Sequence, residues 1–99
     1  MMKEKLEKII KAHGENNQKL KAIEELDELQ IAILNDINKG LNCRNNVIEE
    51  IADSLVMIRQ LMMIYNIDSE MIVTVMHMKM DREIKRINRQ EWIDENLKG

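Results

Sequence analysis

The hydrophobic residues of this chain recur every three or four positions, which is the period of an amphipathic α-helix. Proline is absent and glycine occurs only three times, so few residues interrupt this period. Trp92 and Tyr65 are the only aromatic residues, which favours helices over a sheet. The pattern predicts four helices, which cover residues 3–13, 17–38, about 46–65 and about 70–89.

The breaks between these helices carry residues that commonly end or begin a helix. Glycine serves at a C-terminal end, and an Asn, Asp or Ser side chain caps the start of the next helix. Because short connections make successive helices antiparallel, we predict an all-α fold, an antiparallel bundle of about four helices. It forms one domain over residues 1–99, with residues 88–99 as a possible C-terminal extension. The boundary residues are Gly14, Gly40, Asn45 or Asn46, and Asp68 or Ser69.

The second and third helices each carry a long apolar stripe on one face. If the two helices pack as an antiparallel hairpin through equivalent faces, a local twofold axis relates them. The stripe of the second helix comprises Ile23, Leu26, Leu29, Gln30, Ile33, Leu34 and Ile37. The stripe of the third helix comprises Val47, Ile48, Ile51, Leu55, Ile58, Met62 and Tyr65.

Charge and composition exclude several classes of protein. The net charge of −3 and the two aromatic residues argue against binding to a nucleic-acid polymer. No apolar run approaches the roughly 18 residues of a membrane span, and the N-terminus lacks the apolar segment of a signal peptide. Cys43 is the only cysteine, which excludes an internal disulfide and fits a reducing, cytoplasmic location.

Two acidic phrases stand on the two long helices, IEELDEL at residues 23–29 and IEEIADSL at residues 48–55. Measured from the centre of its own stripe, Glu25 lies at the same helical angle as Glu50, and Glu28 at the same angle as Asp53. In an antiparallel hairpin the four carboxylates could therefore converge. The alternative is a pair of solvated acidic flanks, in which Lys21 and Glu25 form an ordinary helix pair.

Apolar neighbours favour convergence over solvation. Ala32 and Met57 lie in the same helical columns as the two acidic pairs, which suggests a second, partly buried face. Buried carboxylates require a cation, because an unpaired charge in a low dielectric is too costly. Oxygen-only ligands favour Mg²⁺ or Mn²⁺, whereas a di-iron site would require Glu-x-x-His.

The phrases EExxE at residues 24–28 and EExxD at residues 49–53 resemble those of the MazG-like nucleotide pyrophosphohydrolases, in the all-α NTP pyrophosphatase superfamily. The resemblance covers about residues 13–87 and looks most like the short phage or Firmicute members. It includes HGENNQ before the first acidic helix and KMDREIKRI on the last helix.

This resemblance implies Mg²⁺-dependent hydrolysis of an NTP or dNTP to the monophosphate and pyrophosphate, with Mn²⁺ as a possible substitute. It implies that Glu24 is an auxiliary acid and that a carboxylate such as Glu25 positions or deprotonates the attacking water. The implied metal ligands are Glu25, Glu28, Glu50 and Asp53.

Basic residues on the fourth helix complete the predicted site. They continue an apolar stripe, and Arg and Lys both bind phosphate. Lys79, Arg82 and Arg86 match the family's basic positions, although many relatives carry Asn where this chain has Arg82. The alternative is a solvated helix end with a Lys79–Glu83 pair. Gln18, about two turns before the first acidic pair, is a further candidate substrate-binding residue.

We therefore predict a nucleotide pyrophosphohydrolase whose site is closed by a second copy, in a homodimer or homotetramer. The alternative is a non-catalytic protein of the same fold that senses a nucleotide or has a structural role. Neither the preferred base nor the preferred sugar follows from the sequence, because base recognition depends on the shape of the pocket.

Overall fold

The computed structural model describes residues 1–39 and 43–97 of the chain. It contains four helices, which are α1 (Met2–His13), α2 (Glu15–Lys39), α3 (Arg44–Ile64) and α4 (Ser69–Asn96). No strand occurs in these described ranges. The predicted all-α helical bundle is therefore confirmed. None of the described helices combines the length and apolarity that a membrane crossing needs.

Two of the predicted helix boundaries are confirmed. Gly14 follows α1 with a φ of 91°, in the region that glycine tolerates best, and its N–H donates to the carbonyl of Ile10 at 2.7 Å. Asp68 caps α4, because its carboxylate accepts a hydrogen bond from the backbone N–H of Glu70 at 3.1 Å. The predicted stop at Gly40 lies outside the described residues.

Two other boundaries differ from the prediction. The third helix begins at Arg44, so Asn45 and Asn46 lie in its first turn and do not cap it. The last helix continues to Asn96, whose amide donates to the carbonyl of Trp92 at 2.8 Å. The segment after residue 89 is therefore helical, because nothing in its sequence breaks the helix before that point.

The chain divides into two compact units, Met1–Asn66 and Ile67–Gly99. In the first unit α2 packs along α3, and α1 contacts both of them. The second unit contains α4. The single domain predicted for residues 1–99 stays a prediction.

The helices α2 and α3 meet through small and polar residues and not through the apolar stripes. The small residues permit close approach of the two backbones, whereas the large aliphatic residues of the stripes are mostly exposed. The buried residues are Gln18, Ala22, Glu25 and Ala32 on α2, and Ser54, Met57 and Gln60 on α3. Ala32 and Met57 are among them, which confirms the second, buried face that the acidic columns predicted.

Candidate metal centre

Three carboxylates from the two long helices converge beside the buried α2–α3 face, and that of Glu28 is exposed. Glu25 and Glu28 are one turn apart on α2, and Glu50 comes from α3. One oxygen of each lies within 4.8 Å of the others. Three of the four metal ligands that the resemblance implies are therefore brought together.

Burial leaves two of these oxygens without a protein partner. Glu25 is only 9% exposed, and Glu50 is half-buried. The Oε2 atoms of both residues are buried and have no hydrogen-bond partner among the described groups. A buried carboxylate oxygen without a partner is costly, so this arrangement is suited to a bound cation.

The carboxylates also repel one another electrostatically. The pKa of Glu50 is raised above its ordinary value, first by burial and then by the negative charges of Glu28, Asp53 and Glu25. A cation placed among these groups would offset both causes, because it favours the charged form of each carboxylate.

Asp53 is not one of the three converging residues. It is exposed on α3, and it lies close enough to Glu50 to raise the pKa of that residue. Its role as a fourth ligand stays a prediction. Glu24, the predicted auxiliary acid, is also exposed, and its Oε2 lies 3.6 Å from the ammonium nitrogen of Lys21.

Lys21 forms the closest cationic contact of the cluster. Its ammonium nitrogen lies 3.1 Å from Oε1 of Glu25. This contact, followed by the charge of Glu24, raises the pKa of Lys21. The i,i+4 spacing allowed an exposed pair of Lys21 and Glu25, but the side chain of Glu25 is buried.

A cavity of about 510 Å³ lies beside Glu25 and Asp53, within the first unit. Gln18 lies at its wall, which agrees with the proximity to the first acidic pair expected from the sequence. The side-chain amide of Gln18 donates to Oε1 of Gln60 at 2.7 Å, and both side chains are buried. The other polar residues of the wall are His13, Asn17 and Lys21.

Sequence reasoning missed Gln60 and Ser54, which support this region from α3. Both are almost fully buried, at 1% and 2% exposure. The hydroxyl of Ser54 donates to the carbonyl of Glu25 at 3.5 Å. For Ser54 the available signal was its spacing, because Glu50, Ser54 and Met57 follow one helical column.

The basic residues of α4 belong to the second unit. Lys79, Arg82 and Arg86 are all exposed there. Glu83 pairs with Arg86 at 3.5 Å, instead of forming the Lys79–Glu83 pair that the spacing offered. The phosphate-binding role of the three basic residues stays a prediction.

Comparison with family models, with curated proteins and with solved structures found no match for this chain. The MazG-like resemblance therefore depends on the two acidic phrases and the sequences around them.

Proposed function

We propose that this chain is a divalent-cation-dependent nucleotide pyrophosphohydrolase, and that Glu25, Glu28 and Glu50 hold the cation. The observation that carries the proposal is the pair of buried, unpartnered Oε2 atoms on Glu25 and Glu50, beside the carboxylate of Glu28. A helix pair with no ligand gains no stability from placing these groups together, because each buried charge must be compensated.

The donor set indicates the class of cation. All three side chains offer carboxylate oxygens, which suit hard cations, and no sulfur or imidazole ligand accompanies them in the described cluster. Mg²⁺ is the cofactor that we propose, with Mn²⁺ as the substitute. Asp53 is proposed as a fourth oxygen ligand, since it lies next to the cluster on α3.

The reaction proposed is attack of water on a phosphorus of a nucleoside triphosphate. A new oxygen–phosphorus bond forms and a phosphoanhydride bond breaks, which yields the monophosphate and pyrophosphate. The bound cation would offset the negative charge of the phosphates and lower the pKa of water. Glu24 is exposed and contacts the same Lys21 ammonium group as Glu25, and its carboxylate is proposed to accept a proton from that water.

A second copy of the chain is proposed to complete the site. Nine aliphatic residues of the α2 and α3 stripes expose from 39% to 70% of their surface, whereas Leu29 and Val47 are half-buried. A patch of this kind is typical of a protein interface, and two identical patches can cover one another about a twofold axis. The nine exposed residues are Ile23, Leu26, Ile33, Leu34, Ile37, Ile48, Ile51, Leu55 and Ile58.

The test is the release of pyrophosphate from a panel of common NTPs and dNTPs, with Mg²⁺ or Mn²⁺ present. We expect turnover of at least one substrate and its complete loss in the presence of EDTA, with recovery when the cation is restored. Absence of pyrophosphate release from every nucleotide would contradict the proposed activity. The relative kcat/KM values across the panel would identify the preferred base and sugar.

A non-catalytic role is the second candidate, and the position of Asp53 outside the three converging carboxylates favours it. A nucleotide sensor would show a thermal shift with Mg²⁺ and nucleotide together but no turnover. A purely structural helical protein would show neither response.

A further inference from the structure

The ammonium group of Lys21 lies on the most buried carboxylate of the cluster. Its nitrogen is 3.1 Å from Oε1 of Glu25 and 3.6 Å from Oε2 of Glu24. A lysine placed four residues before a glutamate is the weaker order for an exposed helix pair. Stabilisation of the helix alone therefore gives little reason for this contact.

We propose that Lys21 is a phosphate-binding residue, held by Glu25 until a divalent cation takes over the oxygens of that carboxylate. This inference rests on the proposed function, since it assigns Lys21 to the same site. The ligand is a phosphate or pyrophosphate group that accompanies the cation.

The charge balance supports this exchange of partners. Without a divalent cation, Lys21 compensates the negative charge of Glu25. Once that cation is bound, the cation and the ammonium group would share one buried carboxylate and would repel each other. The ammonium group then gains by moving to a phosphate oxygen, with which it forms a charge-assisted hydrogen bond.

The surroundings of Lys21 allow that movement. Its side chain is 47% exposed, so the ammonium group is free to leave Glu25. Lys21 lines the 510 Å³ cavity together with Glu25 and Asp53. Apart from His13, it is the only basic side chain among the described residues of that cavity. A phosphate group that enters the cavity therefore has Lys21 as its nearest permanent positive charge.

The chain offers a matched control for this residue. Lys19 is two positions away on α2, and its ammonium nitrogen lies 4.6 Å from the centre of the Tyr65 ring. It does not line the cavity. Replacement of either lysine by methionine removes one charge and keeps a long apolar stem, so Lys21→Met and Lys19→Met make the same chemical change at different positions.

The experiment measures two affinities by calorimetry for the wild type and for Lys21→Met, Lys21→Arg and Lys19→Met. The first is for Mn²⁺ alone, and the second is for inorganic pyrophosphate at saturating Mn²⁺. We expect Lys21→Met to bind Mn²⁺ at least as tightly as the wild type. We expect its affinity for pyrophosphate to fall roughly tenfold or more, the effect of one lost charge-assisted hydrogen bond.

Lys21→Arg should recover part of the pyrophosphate affinity, and Lys19→Met should behave as the wild type. Equal pyrophosphate affinities for Lys21→Met and Lys19→Met would overturn the role of Lys21 while leaving the metal centre intact. Weaker binding of Mn²⁺ alone by Lys21→Met would overturn it as well. If the wild type binds no Mn²⁺, the proposed metal centre fails, and the role of Lys21 fails with it.

Discussion

The two faces of the α2–α3 hairpin differ in the residues they carry and in what they contact. The inner face brings together small and polar side chains, among them Ala22, Glu25 and Ser54, which are buried. The outer face carries large aliphatic side chains such as Ile23 and Leu55, which are exposed. Ala22, Glu25 and Ser54 each directly precede a residue of the outer stripe, so the faces are about 100° apart on each helix.

In this hairpin the most apolar face of each helix is not the face that packs against the neighbouring helix. In most amphipathic helices the apolar stripe faces the core of the same chain. Here the neighbouring helix covers the inner face, where small residues allow close approach of the backbones and where the carboxylates converge. The apolar stripe is left available for a partner, which we propose to be a second copy. The inner face thus holds the candidate chemistry, and the outer face supports the proposed assembly.

The strongest test of the inner face is Glu50→Gln, with Glu49→Gln as its control on the exposed side of α3. Loss of the Glu50 charge removes one of the three converging ligands. We expect the rate of pyrophosphate release to fall at least about a hundredfold, the usual order for loss of one electrostatic stabiliser.

Glu49→Gln should retain the wild-type rate within about threefold, because a single exposed charge interacts weakly in water. The helical circular dichroism of both variants should match the wild type. Equal rates for the two variants would contradict the assignment of catalysis to the inner face.

The strongest test of the outer face is Leu55→Glu, with Ala52→Glu as a control at an exposed position of α3 about 100° from Ile51, the centre of the stripe. In a twofold assembly each interface would receive two buried charges. We expect the dissociation constant of the oligomer to rise roughly a hundredfold or more, because buried unpaired charges are strongly unfavourable.

Analytical ultracentrifugation over a range of concentrations measures this change. Ala52→Glu should leave the dissociation constant close to that of the wild type. A monomeric wild type, or an unchanged oligomer in Leu55→Glu, would show that a second copy does not cover the stripe.

Packing of the inner face is tested by Ala32→Leu, because Ala32 is only 2% exposed. The larger side chain would force the two helices apart, and we expect a loss of about 1–3 kcal/mol in the free energy of unfolding. Ala52→Leu makes the same replacement at an exposed alanine of α3 and should change stability by less than about 0.5 kcal/mol. Urea denaturation measures both values, and equal midpoints would contradict close packing at Ala32.

The sequence was sufficient to predict the helices and the convergence of most of the acids, because both depend on helical period. The residue types at the breaks also predicted Gly14 and Asp68 as boundary residues. It could not predict which of the two faces the neighbouring helix would cover. That choice depends on how closely two backbones approach, and here Ala22, Ala32 and Ser54 decide it.

The same limit explains why Gln60 was missed and Lys21 was undervalued. Gln60 is buried because it forms a hydrogen bond with Gln18, which lies on another helix and 42 positions earlier in the chain. Lys21 has the spacing of a common surface pair, and only the burial of Glu25 distinguishes it. The hydrophobic period of one helix predicts neither the burial of Gln60 nor that of Glu25, since both arise when α2 and α3 pack together.

The smallest expected effect concerns the dependence of stability on pH in the absence of a divalent cation. The pKa of Glu50 is raised from its usual 4.5 by burial and by neighbouring carboxylates, so the folded protein keeps this proton at pH values where the unfolded chain has lost it. The folded state therefore binds more protons in that window. Its free energy of unfolding should fall as the pH rises from about 4.5 through the raised pKa of Glu50.

Urea denaturation at a series of pH values, in EDTA, measures this slope. Glu50→Gln should flatten it, since glutamine does not titrate, whereas Glu49→Gln on the exposed side should keep most of it. Saturating Mg²⁺ should also remove the slope in the wild type, because a bound cation favours the ionised carboxylate at every pH in the window. A slope that Glu50→Gln leaves unchanged would mean that the inner face does not perturb Glu50, and the contrast between the two faces would then lie in their packing alone.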